Sequence, residues 1–294
     1  MKALRLGIVV CLVGLMADTA AAQAQRAFSE KDLPDLLAHM QEKMTANHKM
    51  EQQYTSDEIA HSRGFDKNGK MTSEHTTKYE NVVVEGLLYR HKVEHDGKPL
   101  SGKEAAEEEK HYEEAVAERR AMKSGRGLHL LWRTYQFDPP TSHLQTLFDN
   151  RVLRTEMVNG RETLVVESTP KPDAKPKNQG EKSSLDWKQT TWIDLKDAVP
   201  ARTEMEQLHD HKSFLKGSTM KTDFSRRVEE AVDEGEPERA VWLQTETHWE
   251  MGVKIYWLRG SVRGETTWTN FKKFQVDMRL LEETMQEVPA AESR

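Results

Sequence analysis

Val152-Leu153-Arg154-Thr155-Glu156-Met157-Val158-Asn159-Gly160-Arg161-Glu162-Thr163-Leu164-Val165-Val166-Glu167-Ser168 is the stretch on which the fold class turns. Two runs rich in β-branched residues, 152–158 and 162–168, flank Asn159-Gly160. That dipeptide tolerates positive φ at both turn positions, as a two-residue hairpin requires. The same rhythm continues downstream, with strands expected at 188–194, 201–208, 218–229, 239–251, 253–259 and 265–274. Alternation puts Met220, Thr222, Phe224 and Val228 on one face, and Val241, Leu243, Trp249 and Met251 on another.

Upstream of the hairpin the pattern is more mixed. Leu33, Leu36, Leu37, Met40 and Met44 recur at helical spacing after a capping Ser29. Extended Thr-rich stretches at 54–59 and 71–79 are joined through Asp66-Lys67-Asn68-Gly69, a strong turn signal. A further strand is expected over 81–93, ending at Asp96-Gly97-Lys98-Pro99. Ser101 then opens a long charged helix to about Met122, most of it facing water. Its glutamates read as a solvated face rather than a catalytic cluster. The apolar stretches 128–132 and 144–148 carry no decisive period. Residues 169–184, rich in Pro and Lys, read as a mobile surface loop able to touch anionic head groups. The expected fold is α+β: one strongly curved antiparallel sheet, an incomplete barrel of about ten to eleven strands, with a few helices packed on its inner face.

The N-terminus sets the compartment. Lys2 and Arg5 precede an apolar run from Leu6 to Met16, followed by Ala20-Ala21-Ala22. This is the layout of a cleaved signal peptide over 1–22, with the cut before Gln23 or, alternatively, after Ala24. The run is shorter than the roughly 20 residues a membrane span needs. A periplasmic or secreted protein is expected, with a single domain over 23–280 and a tail at 281–294. Cys11, the only cysteine, leaves with the leader, so no disulfide or thiol metal site is expected. Loss of Lys2, Arg5 and Asp18 moves the net charge of −6 to about −7. Mildly acidic, evenly mixed charge argues against a nucleic-acid partner.

Three chemical motifs fail on local structure. His91-Lys92-Val93-Glu94-His95 fits a zinc-peptidase pattern that needs a helix. On a strand its histidines would stand about 13 Å apart. Ser218-Thr219-Met220-Lys221 fits the S-x-x-K of serine β-lactamases, but on a strand Ser218 and Lys221 face opposite ways. His209-Asp210-His211 reads as a polar connector between strands. Neither a catalytic residue, a metal site nor a cofactor is expected, and the chain reads as a binding protein rather than an enzyme.

The second half also carries a resemblance. Val158-Asn159-Gly160-Arg161 followed by Leu164-Val165-Val166-Glu167-Ser168-Thr169-Pro170-Lys171 resembles a hairpin of the outer-membrane lipoprotein-sorting proteins. Trp192-Ile193-Asp194 with Pro200-Ala201-Arg202, and Thr269-Asn270-Phe271-Lys272-Lys273-Phe274, resemble two further elements of that family. The upstream Leu88-Tyr89-Arg90 and 96–101 segments resemble exported proteins often grouped with it. The resemblance implies the fold of the periplasmic lipoprotein carriers (LolA/LolB-like), a half-barrel over helices with an apolar cavity. It implies as partners lipid or lipoprotein acyl chains, peripheral membrane contact, and an envelope protein as the alternative. The 13 methionines and 7 tryptophans would suit such a cavity. Met205, Met220, Phe224, Trp249, Trp257 and Trp268 are the candidate lining residues. The runner-up is a periplasmic sensor or assembly partner built on the same fold.

Overall fold

A computed structural model describes residues 30–85, 87–123, 145–208, 215–229, 239–255 and 258–274. Residues 1–29 with Cys11 and the expected leader, the 128–132 stretch, His209-Asp210-His211, Trp257 and the 281–294 segment lie outside the described residues.

The hairpin that decides the fold forms as read. β5 (Phe148–Val158) and β6 (Arg161–Pro170) pair antiparallel through Asn159-Gly160, whose φ values are 51° and 76°. The chain reaches it after a 3-10 turn (Glu30–Asp32), α1 (Leu33–Glu51), β1 (Tyr54–Asp66), β2 (Met71–Val84), β3 (Leu87–His95), β4 (Lys98–Pro99) and α2 (Gly102–Lys123). After the hairpin come α3 (Gln179–Ser184), β7 (Trp187–Asp194), β8 (Pro200–Gln207), β9 (Leu215–Glu229), β10 (Arg239–Ile255) and β11 (Leu258–Lys273). All eleven strands join one antiparallel sheet in the order β4-β3-β2-β1-β11-β10-β9-β8-β7-β6-β5. The first long strand therefore pairs with the last, Tyr54 opposite Lys273 and Asp66 opposite Gly260. The two ends, β4 and β5, do not pair, so the sheet is open.

Three local expectations change. The strand expected over 81–93 is a hairpin: β2 stops at Val84, Glu85 adopts φ 51°, and β3 begins at Leu87. The strand expected at 253–259 is instead the junction of β10 and β11. The loop at 169–184 contains α3, capped by the Asn178 side chain accepting from Glu181 N–H at 2.8 Å, with Glu181 itself buried.

Packing follows strand parity. Leu164, Val166 and Ile193 project to one face of β6 and β7 and are covered by Leu33, Leu37 and Met40 of α1. Val165 and Trp192 project to the other face and cluster with Val158, Val199, Ala201 and Trp242. Full burial of such a side chain contributes about 1.5–3 kcal/mol. A third cluster joins Tyr54, Val241 and Leu243, flanked by Met50 and Phe271.

The helices do not share a face. From Val166 the register runs through Thr191, Thr203, Thr222, Thr247 and Thr266 to Ala60 and Thr77, and so to Tyr79, Asn81 and its partner Arg90. Tyr89 and His91 alternate with Arg90 and point the opposite way, and these two receive α2. Tyr89 Oη donates to Glu108 at 2.9 Å, and both rings contact Tyr112. Arg119, 5% exposed, donates to the carbonyls of Val84, Leu87 and Leu88. The charged helix is thus anchored by one buried guanidinium, and its glutamates are mostly exposed or tied to β3. Among the described residues no helix is long and apolar enough to cross a membrane.

Candidate functional site

The central strands β7 to β11 and β1 carry different chemistry on their two faces. On the α1 face runs a cross-strand ladder of threonines: Thr191, Thr203, Thr222, Thr247 and Thr266, each opposite the next. β-branched residues suit a pleated, crowded surface, and paired threonines hydrogen-bond across it. Thr222 and Thr247 lie 3.2 Å apart at their hydroxyls, Gln189 and Gln244 donate to Thr191 and Thr247, and all but Thr203 are buried.

Beside that ladder, on the same face, Gln189, Met205, Met220, Trp249 and Gly264 form the next row. Three of the expected lining residues are thereby brought side by side on adjacent strands. Met220 is 37% exposed, while Met205 and Trp249 are half-buried. Gly264 is required by its neighbour: a Cβ there would lie 2.1 Å from Trp249 Cε2, so the indole lies flat across the glycine. The other expected residues are dispersed. Phe224 packs against the Trp192–Trp242 cluster, and Trp268 is half-buried opposite Glu58. Glu58, 3% exposed, is held by Arg90, whose guanidinium also covers the Tyr79 ring at 3.5 Å.

β10 carries a bulge between Gln244 and Glu246. Val241 and Leu243 nevertheless pack with Tyr54 and with Met50 of α1, so they stay on the α1 side with Trp249, as the alternation expects. The alternation that fails is that of β9: Phe224, expected on the face of Met220, packs instead in the Trp192–Trp242 cluster.

On the other face, the same strands line a cavity of about 640 Å³. Its walls are two polar rows. Lys188, Glu206, Thr219, Glu250, Arg263 and Arg63 follow one another in register, and so do Thr190, Glu204, Lys221, His248, Glu265 and His61. Between the rows Met205, Met220, Trp249 and Gly264, whose side chains alternate to the α1 face, also border the cavity. Glu206 accepts from Lys188 Nζ at 2.8 Å and raises the ammonium pKa, and Glu250 pairs with Arg263 at 3.1 Å. The trough is zwitterionic, with the Arg263 guanidinium 4.9 Å from the centre of the Phe65 ring.

The motifs that carry the family resemblance prove to be structural. Asp194, 1% exposed, accepts from Arg161 and from the N–H groups of Lys196 and Asp197, closing the β7–β8 turn. Asp197 in turn accepts from Arg226 at 2.6 Å and Trp242 Nε1 at 3.0 Å. Arg202 pairs with Asp223 and covers Trp192. The rejected motifs fall on strands: His91 to His95 in β3, and Ser218 to Lys221 in β9, where Ser218 is buried and Lys221 pairs with Asp223.

No protein-family model and no curated protein matches the chain. Solved structures do. A putative outer-membrane lipoprotein-sorting domain from Vibrio parahaemolyticus is 14% identical over 85% of this chain and 99% of that one, with a TM-score of 0.32. A DUF1329 family protein from Desulfovibrio piger is 16% identical over 83% and 92%, TM-score 0.31. A LolA superfamily protein from Nitrosomonas europaea is 10% identical over 82% and 96%, TM-score 0.28. The sorting proteins resembled by the sequence are thus among the matches.

Proposed function

We propose that this chain, exported and processed after its leader, is a single binding module over 23–280 for an apolar ligand, a lipid or lipoprotein acyl chain, in a carrier-like role. The ligand would lie on the α1 face against Met205, Met220 and Trp249, with Trp257 and Trp268 completing the lining and Phe224, packed in the Trp192–Trp242 cluster, left out of it. The observation that carries this reading is the unbroken apolar row across β8, β9 and β10, with Met220 left 37% exposed. Thioethers and an indole give a soft, adaptable surface for hydrocarbon. The adjacent threonine hydroxyls bond to one another and to glutamines, so that the face asks little polar contact of its occupant. Mass spectrometry of organic extracts of the envelope-purified protein is expected to find co-purified lipid. A fluorescent acyl probe is expected to bind, and Met220→Asp to weaken it at least about tenfold, a charge against hydrocarbon being strongly disfavoured. A protein that carries no lipid and ignores the probe ends this reading.

The zwitterionic trough favours a second reading, a periplasmic sensor or assembly partner that receives an extended peptide. Rows of mixed charge fix register and exclude wrong partners more than they add affinity. Crosslinking from Glu204 or Lys221 positions, or from α2, is then expected to recover a protein. Recovery of lipid alone argues for the carrier.

A further inference from the structure

His75 on β2 and His95 at the end of β3 are drawn together by the β3–β4 turn, where Asp96 and Gly97 adopt φ 50° and 76°. Their rings stand 5.8 Å apart. Asp96 lies between them: its Oδ2 is 3.1 Å from His75 Nδ1 and 3.7 Å from His95 Nε2, and one donor atom from each of the three residues falls within 4.8 Å of the others. A tetrahedral ion with ligands about 2.0–2.1 Å away spaces its donors roughly 3.3 Å apart. The observed spacing straddles that value.

The surroundings are those of a prepared site. The second oxygen of Asp96, Oδ1, accepts from Thr76 N–H at 2.8 Å, which fixes the carboxylate and leaves Oδ2 for the ring nitrogens. An aspartate carboxyl is ionised at neutral pH, so Oδ2 carries the charge that a cation needs. The other ring nitrogen of His95, Nδ1, meets Glu104 of the first turn of α2 at 3.0 Å. A carboxylate on the far nitrogen of a histidine sets the tautomer whose near nitrogen can bind a cation, and this outer-shell arrangement recurs in metal sites. A second His/carboxylate group, Glu246, His248 and Glu265 in the trough, has one histidine where this site has two.

We propose that His75, His95 and Asp96 form a site for a divalent transition metal of the zinc class, bound through His75 Nδ1, His95 Nε2 and Asp96 Oδ2. The site opens to solvent at the β4 edge of the sheet, so the fourth coordination position is free for water or for a donor from another molecule. His95 thus takes part in metal chemistry with a strand neighbour rather than with His91, which contacts Glu108 at 3.2 Å. The ion would join β2, β3 and α2, far along the sheet order from the apolar row, and the site does not depend on the carrier reading.

The test is titration of the metal-stripped mature protein with Co2+, read by its visible d–d bands, and with Zn2+ by calorimetry. One ion per chain with tetrahedral Co2+ absorption is expected. Asp96→Asn keeps the turn and the Thr76 bond, and it and His75→Ala should each weaken binding at least tenfold. Glu104→Ala should weaken it about tenfold through the outer shell. His248→Ala should leave it unchanged, and circular dichroism verifies that each variant folds. Absence of stoichiometric binding overturns the proposal, as does binding that survives both Asp96→Asn and His75→Ala or that falls with His248→Ala.

Discussion

The β5–β8 quarter and the β8–β11 centre are built from the same kind of alternating strand, yet they bury their side chains differently. In β6 and β7 both faces are closed: Leu164, Val166 and Ile193 lie under α1, while Val165 and Trp192 lie in the opposite cluster, each 5% exposed or less. In the centre, at the level of Met205, Met220 and Trp249, neither face is closed. One carries the half-covered Met205–Met220–Trp249 row, the other the zwitterionic trough. A residue that packs on both sides is core, and its neighbours are fixed by volume. A row covered on neither side is free to be shaped by what it binds. Stability resides in the first region, and the second is the surface proposed for recognition.

Paired truncations test that division most strongly. Ile193→Ala is expected to cost about 2–5 kcal/mol in urea unfolding, because it opens a cavity beneath α1. Met220→Ala should stay within about 0.5 kcal/mol. Similar losses for both would mean that the centre is packed as tightly as the edge quarter. A smaller effect is expected from Gly264→Ala. The new Cβ collides with Trp249, at a cost of about 1–3 kcal/mol from overpacking, and acyl-probe affinity falls with the displaced indole. Unchanged probe binding would remove Trp249 from the recognition surface. The smallest effect concerns pH. Burial pushes the Asp197 carboxyl up, but bonds from Arg226 and Trp242 and the nearby Arg161 outweigh it and leave it below the usual range. Its ionised form therefore stabilises the fold above about pH 4, and this contribution fades as pH falls through the depressed folded value. Asp197→Asn should flatten the acid limb of the stability curve below pH 4 and leave its slope above pH 5 unchanged.

Much of the sheet could be read because turns announce themselves chemically. Asn159-Gly160 and Asp66 to Gly69 were legible for that reason, whereas the reversal at Glu85 has no Asn or Asp to mark it. The α1 pattern was legible from its leucines. The placement of α2 was not, since its anchor is a single arginine among many charges. Half of the candidate lining residues, Met205, Met220 and Trp249, come together as a row. The two polar rows of the trough depend on pairing register across six strands, which no local pattern reveals. The bulge beside Glu246 is invisible in the alternation, and so is the fate of Phe224, which alternation groups with Met220 but which packs with Trp192 and Trp242. His75 and Asp96 are twenty-one positions apart and meet only through the β2–β3 register.

Asn47 of α1 has a mechanical consequence. Its side-chain amide donates to the Trp242 carbonyl at 2.8 Å and accepts from the Trp242 N–H at 2.7 Å, next to the point where β11 ceases to pair with β10. A carboxamide here takes the seat of a missing peptide, and sliding the helix by even one residue would unseat both bonds at once. Its other half is held too, by the Gln145 amide donating to the Leu37 carbonyl at 2.8 Å and by Leu33 and Leu37 seated on β6 and β7, so the helix is fixed at both ends rather than hinged at one.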